Sequence, residues 1–188
     1  MSEEVMDDAS LSPKIVGSDI IFFGEITEQS VLEFICAFKQ LESDLLKKYV
    51  DNACCKPCIK IIINSGGGDL FAGIAAMNII EKSRVKVITE AQGSCCSAAT
   101  FLLLAGSKRT MGKDAFVLIH QITTNEFWGK FQELKDEYKS CEKFMKRIES
   151  IYRSKTKIPD KVFKKLMKRD VYLDSSDCIK YGIIHEIA

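Results

Sequence analysis

Histidine and proline are scarce in this chain, and no long apolar run occurs in it. The 188 residues contain two histidines, His120 and His185, and three prolines, Pro13, Pro57 and Pro159. Two histidines leave very few ways to build a general base, and neither lies beside cysteines spaced to complete a zinc set. With no internal repeat and no low-complexity stretch, a linker-rich, multi-domain chain is excluded. The longest apolar runs fall far short of a membrane span, so no membrane partner is expected. Charge of one sign is also missing. Lys and Arg number 27 against 26 Asp and Glu, a formal net charge of +1, so nothing asks for nucleic acid as a partner.

Apolar residues make up 46% of the chain and charged residues 28%, the balance of an ordinary globular protein with a sizeable core. The segment Met1 to Ser10 is acidic and polar, the opposite of a secretory or mitochondrial leader, and a cytoplasmic setting is expected. Eight cysteines occur (Cys36, Cys54, Cys55, Cys58, Cys95, Cys96, Cys141 and Cys178), and Cys55 and Cys58 form a CxxC. No second CxxC joins it, so we expect reduced thiols with packing roles, no disulfides and no metal.

Residues 1–17 read as a short flexible arm and 18–188 as a single domain. Ile20 to Phe23 is a short buried strand ended by Gly24, and Val31 to about Tyr49 has apolar residues at helical spacing. Ile59 to Ile63 is β-branched except at Lys60 and apolar on both faces, as a buried parallel strand is. A helix from about Asp69 to Lys82, strands at Val85 to Thr89 and Phe116 to His120, and a helix after Ser97 follow. Strands alternating with helices predict an α/β fold with a mainly parallel sheet. From about 127 to 154 the pattern changes. Phe127, Phe131, Leu134, Tyr138, Cys141, Met145, Ile148 and Tyr152 alternate by four and three residues, a heptad-like seam. Such a helix either lies on its own domain or protrudes and packs against another subunit, and its length favours the second.

The densest chemical signal is Ala91 to Phe101, read together with Asn64-Ser65-Gly66-Gly67-Gly68. Small residues crowd around Ser97 and an apolar run follows it, which suits a serine at the start of a buried helix. Unpaired N–H groups and the helix dipole there favour negative charge, and a serine nucleophile needs fixed donors for its oxyanion. Ser94 is the rival serine. The glycine run is no phosphate loop, because Asp69-Leu70 follows it where Lys-Ser/Thr is required.

Ile63 to Gly68, Gly93-x-x-x-Ser97, Ile119-His120-Gln121, Arg169-Asp170-x-Tyr172-Leu173 and Tyr181 to Ile184 occur in the order and approximate spacing of the ClpP peptidase family, which the chain resembles from about Ile20 onward. The resemblance implies a ClpP/crotonase-like fold, a compact head with a long protruding handle helix. It implies a serine endopeptidase with Ser97 as nucleophile, His120 as base and Asp170 as orienting acid. The Gly68 and Ala98 amides would form the oxyanion hole, and Gly66 and Gly67 would hold an extended peptide by backbone pairing. It further implies polypeptide substrates, a homo-oligomer of two stacked heptameric rings, and no cofactor. ATP would enter only through a separate AAA+ unfoldase, the candidate partner. His185 reads as structural, and Asp174 as the cap of a helix over Ser175 to Tyr181 rather than as the catalytic acid.

The chain departs from the family pattern in places. Its arm before Ile20 is shorter, Lys60 and Ile62 replace aromatic residues, Ala98-Ala99 replaces Met-Gly, and the segment after His120 lacks the usual proline and glycine. An early helix is expected in that segment. These departures sustain an alternative, a weakly active or inactive structural ring subunit assembling with an active paralogue. A thioester-directed crotonase-type enzyme is a lesser one.

Overall fold

The computed structural model describes residues 12–52, 56–124 and 128–188. Most of the expected arm, and Cys54, Cys55 and Phe127, lie outside these residues. The described chain forms one eight-stranded sheet and six helices. The first strand, β1 (Lys14–Val16), falls within the span read as an arm, and it pairs antiparallel with β2 (Asp19–Phe23). Helix α1 (Glu28–Asn52) starts where Thr27 and Ser30 cap each other: the Ser30 amide donates to Thr27 Oγ1 at 3.0 Å and the Thr27 amide to Ser30 Oγ at 2.9 Å.

Next come β3 (Cys58–Ser65), α2 (Leu70–Glu81), β4 (Lys86–Cys96), α3 (Ala99–Ala105) and β5 (Lys108–Met111). The strands β2, β3, β4 and β5 are parallel neighbours, joined by helical crossovers as the alternating pattern predicts. Ile59, Ile61 and Ile63 are fully buried, each contributing about 1.5–3 kcal/mol by leaving water. The opposite face of β3 differs from expectation. Lys60, Ile62 and Asn64 alternate outward and are only half-buried. Lys60 Nζ meets the buried Glu90 carboxylate at 2.8 Å.

The strand expected to stop at Thr89 runs on to Cys96, and it divides its partners. Its first half pairs with β5, and Ser94 to Cys96 pair in parallel with β6 (Phe116–Leu118). Between the halves the register against β3 slips: Ile63 faces Ala91, whereas Ser65 faces Cys95. Asn64 pins this bulge, with its Oδ1 accepting from the Ser94 amide at 2.9 Å and the Ser94 hydroxyl at 3.3 Å. A Cβ on Gly93 would lie 2.7 Å from that oxygen, so only glycine fits. Bulges of this kind re-aim the end of a strand.

Beyond β6 the chain runs without regular structure to 124, and α4 (Phe131–Lys155) begins four residues later than position 127. The expected early helix is therefore not formed among the described residues of that segment. The Lys130 amide, donating to Glu133 Oε2 at 2.7 Å, fixes the helix start. At 25 residues α4 is about 37 Å long. Of its residues only Ile148, Ile151 and Tyr152 are buried; Phe131 is 72% and Tyr138 66% exposed. The helix thus protrudes as a handle and anchors by its C-terminal turns. The chain closes with α5 (Asp160–Leu166), β7 (Tyr172–Leu173), α6 (Ser175–Lys180) and β8 (Glu186–Ile187). As expected, Asp174 caps α6, accepting from the Asp177 amide at 2.8 Å. No helix of the described residues is long and apolar enough to cross a membrane.

Candidate active site

Ser97 occupies the turn between β4 and α3. It is the one non-glycine residue with positive φ, +51°, among the described residues. A left-handed serine costs about 1–2 kcal/mol, and such a strand–turn–helix elbow lifts a nucleophile clear of the sheet end. Among the described residues, hydrogen bonds hold only its backbone. The Ser97 amide donates to the Leu118 carbonyl at 2.9 Å, and its carbonyl accepts from the Thr100 amide at 3.0 Å and from Thr100 Oγ1 at 2.6 Å. Ser94, the rival serine, is tied to Asn64 and serves the bulge.

The glycine run packs against this elbow. Gly67 has φ +99°, and a Cβ there would come 2.7 Å from both Cys96 O and Ser97 Cβ; at Gly68, φ +142°, it would come 2.2 Å from Ile26 O. Gly68 forms an isolated parallel bridge with Ile26, made by the Ile26 amide to Gly67 O at 2.8 Å and the Asp69 amide to Ile26 O at 2.7 Å. That pattern leaves the Gly68 N–H pointing away, and neither it nor the Ala98 N–H donates to another described group. Both residues line the same groove as Ser97. Gly67 itself is unavailable to a peptide. It is buried, its amide donates to Ser65 Oγ at 3.1 Å and its carbonyl is taken by Ile26. Of the two glycines expected to pair with an extended peptide, only Gly66 is exposed with open space around it.

His120 follows β6, whose parallel pairing with β4 carries it level with the elbow. Ser97 and His120 both line a groove of about 600 Å³ between the head and α4. Asp170 does not line it. The antiparallel pairing of Val117 with Leu173 and Leu118 with Tyr172, carried two residues further, sets Asp170 opposite His120. The ladder stops at Tyr172, however, and Asp170 sits exposed in the bend after α5. Among the described residues no hydrogen bond joins the side chains of Ser97, His120 and Asp170.

The other groove walls come from residues to which sequence reading assigns no role. Phe71 and Phe144 stack edge to face at 5.2 Å and 88°, and Ile122, Glu137 and Cys141 complete the wall. They belong to elements far apart in the chain, so only periodicity within α4 hints at them. His185 is structural as expected: its Nδ1 accepts from the Arg109 amide at 3.0 Å, and burial with the Arg109 charge holds its pKa below the usual histidine value. Cys95, Cys96 and Cys178 are buried and in no disulfide. Burial pushes the Cys95 and Cys96 thiols up and Cys178 to about 12, which suits packing rather than nucleophilic chemistry. Among the described residues no cluster of three or more His, Cys, Asp or Glu is placed to hold a metal ion.

A parallel crossover sheet with a projecting helix, and a strained serine where strand ends converge, together define the Clp-peptidase type of fold. The sequence model of the Clp protease family matches residues 10–188, and the chain belongs to that family. Among curated proteins, an ATP-dependent Clp protease proteolytic subunit 2 of Treponema denticola is 31% identical over 185 residues, covering 97% of this chain and 88% of its own. A subunit of the same name from Borreliella burgdorferi is 30% identical over the same shares. Among solved structures, a point mutant of ClpP1 from Listeria monocytogenes superposes with a TM-score of 0.77 over 91% of each chain, at 24% identity. That likeness establishes the fold.

Proposed function

We propose that this chain is a serine endopeptidase of the self-compartmentalising Clp type, hydrolysing peptide bonds of unfolded polypeptides. One observation carries the reading: Ser97 is held at φ +51° on a strand–helix elbow, in one groove with His120 and with the undonated amides of Gly68 and Ala98. Strain of this sort persists where function requires it.

The chemistry follows from the placement. Ser97 Oγ attacks the scissile carbonyl carbon while the His120 imidazole takes its proton. The oxygen that becomes negative accepts from the Gly68 and Ala98 N–H groups, donors fixed before the reaction begins. Histidinium then returns the proton to the leaving amine, and water releases the acyl group from Ser97 by the reverse sequence. Asp170, brought against His120, would hold the imidazole tautomer and support its positive charge. Gly66 and residues 121–124, which carry no regular structure, offer backbone to a peptide strand. No cofactor takes part. The subunits stack as two heptameric rings, the exposed face of α4 packs across the ring contact, and an AAA+ unfoldase delivers substrates using ATP.

The second reading, a structural ring subunit beside an active paralogue, draws on Asp170, which stands exposed and outside the groove. A fluorophosphonate, which phosphonylates only an activated serine, separates the two when applied to wild type and Ser97→Ala with particle mass recorded. Labelling of wild type alone, at ring mass, supports the peptidase. An unlabelled particle of ring mass supports the structural subunit.

A further inference from the structure

We propose that Tyr152 and Thr100 are positioning residues for Ser97: the Tyr152 hydroxyl holds Thr100, and Thr100 holds the Ser97 carbonyl, so that α4 fixes the nucleophile's turn. The proposal rests on the peptidase reading of Ser97.

The direction of each hydrogen bond is dictated by what the groups can do. A carbonyl only accepts, so Thr100 Oγ1 must donate its one proton to Ser97 O, at 2.6 Å. The Tyr152 hydroxyl bonds the same Thr100 oxygen, and with that proton committed Tyr152 must be the donor. Both side chains are buried, Thr100 at 0% and Tyr152 at 2% exposure, so no water competes for either bond. Burial holds the Tyr152 phenol well above its ordinary pKa, which keeps it protonated and donating. The ring is gripped by Phe101 at 6.0 Å and Phe163 at 5.8 Å, which aims the hydroxyl before any substrate arrives.

What this chain of bonds restrains is the peptide unit between Ser97 and Ala98. Its carbonyl is the Thr100 acceptor, and its N–H is the undonated Ala98 amide. Rotation of that one plane would swing the proposed oxyanion donor away from the Ser97 hydroxyl. A positive-φ serine has no glycine-like ease in its conformation, so the plane needs an external hold. Thr100 supplies it from two atoms, Oγ1 and N, and Tyr152 locks the Thr100 rotamer. The tie also reaches the handle, because Tyr152 is part of α4 and closes its last turn, accepting from the Thr156 amide at 2.9 Å.

Tyr152→Phe and Thr100→Val remove the hydroxyls while keeping shape. Each is expected to lower kcat, per folded site, on the order of 10- to 100-fold with KM unchanged. The double variant should fall no further than Thr100→Val alone, and Thr100→Ser should restore the wild-type rate. Melting temperatures normalise for folding. A rise in KM, an additive double variant or an unrescued Thr100→Ser overturns the proposal. Hydrogen exchange at the Ser97 and Thr100 amides reads the same restraint without any activity: faster exchange in Tyr152→Phe is expected, and unchanged exchange overturns it. An unlabelled wild type would refute the peptidase reading alone, leaving the exchange result to decide the positioning roles.

Discussion

The two halves of the site are built to different standards. On the serine side every backbone group has its place. Asn64 pins the bulge, Gly67 and Gly68 fit where a methyl would collide, and Thr100 and Tyr152 hold the turn from behind. On the other side, His120 follows a three-residue strand and Asp170 lies exposed past the end of a two-residue one. A single subunit thus holds the proposed nucleophile and the proposed oxyanion donors by its own contacts. His120 and Asp170, the proposed base and acid, are set in register but no hydrogen bond joins them among the described residues. Such asymmetry is what an enzyme would show if its last catalytic contacts formed only on assembly, with α4 and the segment after His120 at the boundary.

The sharpest break of this comparison is Ser97→Ala. Labelling and peptide hydrolysis should fall to background, a loss on the order of 10⁴-fold or more, while the melting curve stays put because the side chain makes no hydrogen bond among the described residues. Gly68→Ala should instead strike fold and chemistry together. Its Cβ would press on Ile26 O, and we expect about 2–3 kcal/mol of destabilisation by denaturant titration, with loss of labelling. Asp170→Asn tests the looser half. Activity of ring-sized particles should drop on the order of 10²-fold or more, with the stability of dissociated subunits unchanged; equal loss of stability there would deny that Asp170 stands free.

A charge on the handle sharpens the same boundary. Tyr138→Glu should reduce particle mass on a sizing column, leaving helix content as in wild type. The smallest effect lies far from the site. Glu42, only 1% exposed, accepts from the Arg84 amide at 2.6 Å and Ser83 Oγ at 3.0 Å and pairs with Lys39 at 3.2 Å. Burial alone would raise its pKa, but these partners outweigh burial and lower it. A lowered folded value means the stabilisation is present above the ordinary carboxylate range and is lost as pH falls through the folded value. The melting-temperature gap between wild type and Glu42→Gln, a few degrees at neutral pH, should therefore close below about pH 4.

Local rules carried much of this into the sequence. β-branching at Ile59 to Ile63, the seam from Phe131 to Tyr152 and the cap at Asp174 were legible because each depends on residues close in the chain. The family motifs also single out Ser97, His120 and Asp170 as the candidate catalytic residues. What stayed hidden depends on distant partners. The length of β4 is set by β6, which pairs with its second half only after a helix and another strand intervene. The role of Gly67 turned on Ile26 and Ser65 taking both of its backbone groups. Asn64 and Thr100 read as ordinary polar residues until Gly93 and Tyr152 are seen beside them.

Among the described residues the Ser97 hydroxyl makes no hydrogen bond that its loss would break, whereas Gly67 and Gly68 cannot gain a single methyl without pushing on Ser97 or Ile26. Tolerance to mutation at the elbow is therefore inverted relative to the chemical importance proposed for each residue. A lineage that no longer cut peptides would be free to drift at the serine, the histidine and the aspartate. It would keep its glycines for as long as it kept its shape.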